Sequence, residues 1–495
     1  MLKSILKIFS GNFLSKCLGL VREIITAFFY GTSLSISAFR VAQTGTFTLI
    51  NFFTSDALSS TFVPKYKTLL IESRNKSQIF FWSIFILFSI LSCLLVLLLI
   101  LFSDILISLL GPGLSETTSN VAADMLKVMA IGIPTYLLSS LLIFLALANG
   151  DSTPIALRPN IQNIGMISGV LLAVFLKDIV LLAWGFTLSY SLFLLWLFNR
   201  CYRFGYLQFP IQWSKSETIP ILSSFWRVLR PLLFLPFLLQ GSVVAERAVA
   251  SLINVTTISA LDYARFVSET FIVLISVPIA FSGLTKWNSS NEFELQTNLK
   301  LLLTPLLLIT IPVSAFIFEN SYSIISLLYQ RGAFDQESLS TTSDILYGLS
   351  FGLWAHIISY ILIKVLNSQF RNSTVLTIMA IGLSLNIFFN LFFYDVFHSL
   401  TLGVGNSIYG LTVLFLTVSF FKIWDFILPR ISLLFLGSIF YFCLMNFILP
   451  SFTNSIPLIY SIFLTAFFWF SWIFLFPLLR RDFLVSFSLF LQRSI

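Results

Sequence analysis

The chain has 495 residues, 57% of them hydrophobic and only 10% charged, with a mean hydropathy of +0.95. Soluble domains carry about 25% charged residues, so a water-soluble enzyme, a secreted disulfide scaffold and a disordered chain are excluded, and a polytopic membrane protein is left. The net charge of +8 is spread singly among apolar runs, which argues against a nucleic-acid partner and points to membrane topology.

Cys17, Cys93, Cys201 and Cys443 stand far apart without a CxxC pair, and His356 and His398 are isolated. No metal site, cofactor or disulfide framework is expected from them. No HExxH, P-loop or GxSxG constellation is present. Lys3 and Lys7 precede an apolar run with no small-residue cleavage site, so the N-terminus reads as a first helix rather than a signal peptide.

A spanning helix needs about 20 apolar residues. In chain order the predicted spans are 5–29, 34–60, 78–103, 120–146, 154–176, 178–199, 226–254, 257–284, 299–319, 339–366, 373–394, 398–421, 426–450 and 456–479. The last two come from the charge-free stretch Ile431 to Leu479, which Pro450 and Pro457 divide at a polar turn. With the N-terminus inside, 21 Lys and Arg fall at cytoplasmic ends and loops and three fall outside. That is the positive-inside asymmetry, and an even number of spans places both termini in the cytoplasm.

An internal repeat is visible. Asp124 and Gly132 recur as Asp344 and Gly352 at a spacing of 220, and Arg22 and Arg40 recur as Arg247 and Arg265 at 225. Six helices separate the copies, which predicts an all-α integral membrane fold of fourteen helices: an N-terminal lobe at 1–200, a cytoplasmic linker at 201–225, a C-terminal lobe at 226–422, and two further helices with a cytoplasmic tail at 423–495. Repeat-built transporters bind substrate where their repeats meet.

Mid-membrane charge is costly and usually faces a watery cavity. It concentrates in the first two helices of each lobe: Lys16, Arg22, Glu23, Arg40 and Asp56, then Glu246, Arg247, Asp262, Arg265 and Glu269. Neighbours on a helix point about 100° apart, so neither Arg22–Glu23 nor Glu246–Arg247 is expected to neutralise itself along one face. The candidate site is therefore Lys16, Arg22, Arg40, Arg247 and Arg265, with Asp56 and Glu246, lining one cavity. Forked guanidinium donors match phosphate oxygens, so the expected ligand is a phosphate or diphosphate head group. The bland reading, that these charges are ion pairs holding the bundle together, stays open. His356 and Lys364 read as packing or interfacial residues.

Three motifs carry a resemblance. The run Leu14-Ser-Lys-Cys-Leu-Gly-Leu-Val-Arg-Glu23 resembles the first-helix motif SRxLGxxRD of the MurJ/MviN lipid II flippases, members of the multidrug/oligosaccharidyl-lipid/polysaccharide exporter superfamily. Ser55-Asp-Ala-Leu-Ser-Ser-Thr-Phe-Val-Pro64 resembles their EGAxSxAFVP, and Leu328-Tyr-Gln-Arg-Gly-Ala-Phe334 resembles LFxxGxF. The resemblance implies head-group contacts at Lys16, Arg22 and Arg265. It departs at Ser37, where the family has an Asp, and near Ile50, where it has an Arg; the acidic residue of EGA is displaced to Asp56. Arg40 and Arg247 are charges the family typically lacks.

What the resemblance implies is a bacterial inner-membrane flippase. Its substrate is an undecaprenyl-diphosphate-linked saccharide such as lipid II, a peptidoglycan precursor, moved outward by alternating access within membrane lipid. A coupling cation or the membrane potential would drive it. The alternatives are an exopolysaccharide or O-antigen repeat-unit flippase, a membrane glycosyltransferase or ligase using the same lipid, and a multidrug–cation antiporter. The longest outer loop, about 320–338, carries only Arg331, Asp335 and Glu337, which disfavours the enzyme. An antiporter for cationic drugs calls for an acidic cavity, whereas these charges are net basic.

Overall fold

The computed structural model describes residues 2–54, 56–287, 292–369, 371–448 and 458–494. Among them there is no strand. The helices are α1 (Leu2–Tyr30), α2 (Leu34–Phe53), α3 (Asp56–Glu72), α4 (Arg74–Leu101), α5 (Ser103–Leu110), α6 (Glu116–Ala148), α7 (Thr153–Leu176), α8 (Leu181–Arg203), α9 (Lys215–Leu232), α10 (Phe234–Ile253), α11 (Val255–Trp287), α12 (Glu292–Glu319), α13 (Ser321–Tyr329), α14 (Gln336–Ser368), α15 (Asn372–Phe397), α16 (Leu400–Phe421), α17 (Trp424–Cys443), a π-helical turn (Leu444–Ile448), α18 (Leu458–Leu475) and α19 (Pro477–Ser494).

Every predicted span contains a helix, but several boundaries differ for local reasons. The second span stops at Phe53, and the Thr54 N–H makes the last helical bond, to the Ile50 carbonyl at 2.9 Å. The chain then resumes as α3 with Pro64 inside it. The seventh span begins at Phe234 rather than 226: Pro236 has no N–H to offer the Leu232 carbonyl, and residues 215–232 form the separate helix α9. The stretch beyond 479 is helical too. Its Asp482 accepts a buried bidentate pair from Arg430 of α17, at 2.7 and 3.1 Å. The polar turn between Pro450 and Pro457 lies outside the described residues.

Eleven helices among the described residues are long and apolar enough to cross a membrane. The three remaining predicted spans are α1, α2 and α11. They fall short because α1 carries Lys16, Arg22 and Glu23, the described part of α11 carries Asp262, Arg265 and Glu269, and α2 carries Arg40 among Gln43 and three threonines.

The chain divides into two compact units: Met1–Ser259 with Arg331–Asp335, and Ala260–Gln330 with Gln336–Ile495. In the first, α6 packs on α2, α4 and α8, and α7 packs on α1 and α8. Small residues let α7 and α8 come close: a Cβ on Gly185 would lie 2.6 Å from the Gly165 carbonyl oxygen, a small-residue contact of the kind membrane helices favour. The segment from Arg331 to Asp335 joins this unit, with the Ala333 N–H donating to the Phe28 carbonyl at 2.8 Å.

The second unit repeats the pairing order. Here α14 packs on α12 and α16, and α15 packs on α16. Gly132 of α6 meets Phe186 and Thr187 of α8, while its repeat partner Gly352 of α14 meets Ser407 of α16.

Candidate functional site

The first unit gathers its charges where α1, α2 and α7 meet. Arg22, near the outer end of α1 in the predicted topology, is held from three directions. Its Nε donates to the Glu23 carboxylate at 3.1 Å, and its Nη1 donates to Asn163 Oδ1 at 2.9 Å and to Met166 Sδ at 3.4 Å. Asn163 is itself fixed to α1, donating to the Ser15 carbonyl at 2.9 Å and to the Ser15 hydroxyl at 3.1 Å. That hydrogen-bonded frame fixes α7 against α1 at the level of the guanidinium.

Glu23 is 2% exposed and serves two arginines, pairing through Oε1 with Arg22 and through Oε2 with Arg40 of α2. Arg40 also donates to Gln43 Oε1 at 3.3 Å, and Gln43 reaches Met166 Sδ at 3.9 Å. The expectation that adjacent Arg22 and Glu23 do not neutralise each other is corrected here: the guanidinium stem is long enough to fold back across the angle between neighbours. One buried carboxylate thus serves two guanidiniums. The Arg22 side chain is 16% exposed and that of Arg40 only 6%, so Arg22 is the more accessible of the two.

The other expected residues are placed as follows. Lys16 is half-buried on α1. Asp56 opens α3, and its side chain lies outside the described residues. Glu246 and Arg247 are buried on α10, with Arg247 donating to the Ile258 carbonyl at 2.8 Å across the break between α10 and α11. Arg265 is half-buried on α11 and belongs to the second unit. Ser37, where the resembling family carries an acid, instead shares a buried hydrogen bond with Ser259 at 3.1 Å. His356 is a packing residue: it sits against the Asn406 carbonyl at 2.8 Å and under Gly410. Among the described residues no three His, Cys, Asp or Glu side chains gather as metal ligands.

Sequence reasoning missed Glu23 as the centre of the cluster, and Asn163, Gln43 and Met166 as its frame. A signal for Asn163 exists in the polar residues Asn160, Gln162 and Asn163 inside a predicted apolar span. Met166 and Gln43 carry no such signal, because a thioether and a lone amide also suit an ordinary core.

Comparison with known proteins places these features in a family. The model of the family described as lipid II flippase MurJ matches residues 26–471. A probable lipid II flippase MurJ from Thermotoga maritima is 26% identical over 345 residues, 69% of each chain. The lipid II flippase MurJ of Thermosipho africanus is 28% identical over 429 residues, 85% of this chain and 86% of that one. Among solved structures, a lipid II flippase MurJ in an inward closed conformation superposes with a TM-score of 0.80 at 23% identity, covering 94% of this chain and 97% of the other. An inward-facing multidrug-resistance MATE transporter of the MOP superfamily gives a TM-score of 0.70 at 14% identity, over 85% and 95% of the two chains.

Proposed function

The chain belongs to the lipid II flippase MurJ family, and from that premise we propose that it carries an undecaprenyl-diphosphate-linked saccharide of the lipid II kind from the cytoplasmic to the outer leaflet by alternating access. It is a multi-pass bacterial membrane protein and a transporter rather than an enzyme. The observation that carries the proposal is the Arg22–Glu23–Arg40 cluster, in which two guanidiniums share one buried carboxylate and Arg22 is the more exposed of the two. Forked guanidinium donors match phosphate oxygens, and Arg22 offers them to a diphosphate entering beside it.

In this reading Lys16, Arg22 and Arg40 grip the head group from the first unit. Glu23 keeps the guanidiniums oriented between cycles, and Arg247 and Glu246 hold the α10–α11 corner. Arg265 is a head-group contact carried by the second unit, and Asp56 an acidic neighbour at the start of α3. The internal repeat supports fourteen spans in two six-helix lobes plus two C-terminal helices, and the charge asymmetry supports cytoplasmic termini. A coupling cation or the membrane potential supplies the driving force.

The departures at Ser37, Ile50 and Arg40 favour one second reading, a related repeat-unit flippase for exopolysaccharide or O-antigen. A complementation pair separates the two. The gene is expressed in cells depleted of their lipid II flippase and in cells lacking a capsule or O-antigen flippase. Rescue of the first alone is the expected result; rescue of the second alone overturns the lipid II assignment and keeps the flippase.

A further inference from the structure

Arg158 belongs, by the charge pattern, to the cytoplasmic end of the fifth span, where topology alone accounts for a cation. Its surroundings are not those of a topological arginine. The side chain turns inward and stacks its guanidinium over the ring of Tyr136, on α6, at 4.0 Å. Tyr136 is 7% exposed and packs at 4.5 Å, centroid to centroid, on the fully buried Tyr190 of α8. The Tyr190 hydroxyl donates to Gln162 Oε1 at 2.8 Å. That bond uses the acceptor of the amide and leaves its nitrogen as a donor. Among the described residues no carboxylate pairs with Arg158, and the Gln162 nitrogen has no acceptor.

The contrast within the same unit is informative. Arg22 and Arg40 share Glu23, and Arg200, one helix away at the same end, pairs with Asp151 at 2.8 Å. Arg158 is the half-buried guanidinium left with an aromatic partner and no anion. Arg158, Gln162 and Met166 recur every four residues along α7, which puts them on one stripe, and Met166 is the residue that Arg22 and Gln43 both touch. The stripe therefore runs from an unpaired cation, past an unused amide donor, to the Arg22 cluster, over about 12 Å of helix rise. That span exceeds the reach of a single phosphate between the two guanidiniums.

We infer that Arg158, with Gln162 beside it, forms a second anion station on the cytoplasmic side of the first unit, where the diphosphate of a lipid-linked substrate is received before it passes along α7 to Arg22. The station takes a phosphate or diphosphate ester: the guanidinium fork and the amide nitrogen present donors only, and the Tyr136 ring fixes the plane of the fork without neutralising it. The inference rests on the reading of Arg22 as a head-group contact.

The test uses the full-length protein in liposomes, with flipping of lipid II followed as a function of its concentration, and binding of a C55 polyprenyl diphosphate to the purified protein measured separately. Arg158→Gln is expected to raise the half-saturating substrate concentration and the diphosphate dissociation constant about fivefold to tenfold, with the maximal rate retained. Arg158→Lys, which preserves the topological charge, is expected to recover only part of the loss, since Lys lacks the stacked fork. Unchanged half-saturation in Arg158→Gln, or full rescue by Lys, overturns the second station if Arg22→Ala still weakens binding. If Arg22→Ala binds the diphosphate as well as the parent does, the head-group reading itself falls, and the station with it. Should Arg158→Gln fail to reach the membrane, Arg158→Lys alone decides, because a purely topological arginine predicts parental affinity there.

Discussion

Glu23→Gln isolates the role of the carboxylate that two arginines share. The substitution keeps the shape of the side chain and removes its charge, so Arg22 and Arg40 are left with one neutral acceptor between them. Arg22 retains Asn163 at 2.9 Å and is 16% exposed, which gives it access to water. Arg40 is 6% exposed, so water does not replace the carboxylate there, and it donates to the Gln43 oxygen at 3.3 Å. The cost therefore falls on Arg40. Breaking a buried ion pair by removing one partner costs about 3–5 kcal/mol, and we expect Glu23→Gln to lie in that range. The double variant Glu23→Leu/Arg40→Met removes both charges, and isosteric apolar replacement of buried pairs is often neutral, so most of the loss should return. Stability is read by thermal unfolding of purified protein in detergent, with the two single variants completing the cycle. Parental stability in Glu23→Gln would refute the reasoning, and so would a double variant no better than the sum of its parts.

Three further outcomes are expected. A topology reporter fused after Ile495 should be active only on the cytoplasmic side, given the 21-to-3 distribution of Lys and Arg; activity outside refutes the even number of spans. Gly352→Ala should destabilise by about 1–3 kcal/mol, the range for overpacking, since its Cβ would lie 2.5 Å from Ser407 Cα, whereas Gly241→Ala meets nothing within 4 Å and should be neutral or stabilising in the same unfolding measurement. Asp151 lies in the loop before α7, where burial alone raises its carboxyl pKa but the Arg200 hydrogen bond and the Thr153 amide outweigh it and hold it below the usual range. A depressed acid contributes stability that is present above its unfolded pKa of about 3.9 and lost as pH falls through the lower folded value; the parent should lose at most about 1 kcal/mol relative to Asp151→Asn below pH 4, and parallel pH profiles for the two would refute the pairing.

Much of the fold was legible because membrane insertion writes itself into composition. Fourteen runs near 20 residues long predicted helices, and each contains one. What the runs hid were helix ends, such as the start at Phe234, where the proline nitrogen at 236 cannot bond Leu232. Hydropathy averages over a whole segment and is blind to such an end. The charges were equally legible as positions, since an ionisable residue in an apolar helix stands out singly. Their partners were not. Pairing depends on which helices touch, and nothing in the spacing of Arg22, Glu23 and Arg40 brings Asn163, 141 residues after Arg22, to the same guanidinium.

The same cluster also gives a physical meaning to the chain's departures from its family's motifs. With Ser37 in place of the expected acid, helix α2 contributes no carboxylate at that level, and the Ser37–Ser259 hydrogen bond is neutral. Helix α2 contributes Arg40 instead, and Glu23 on α1 becomes the acid shared by both helices. Moving a cation from near Ile50 to position 40 shifts it ten residues, about 15 Å of helix rise, from the cytoplasmic half of the predicted span to the level of Arg22. Positive charge on α2 is thereby kept but relocated beside the first-helix arginine. Arg40 and Glu23 therefore fit one rearrangement, in which the acid the family places on α2 is supplied by α1 and the cation of α2 moves to meet it.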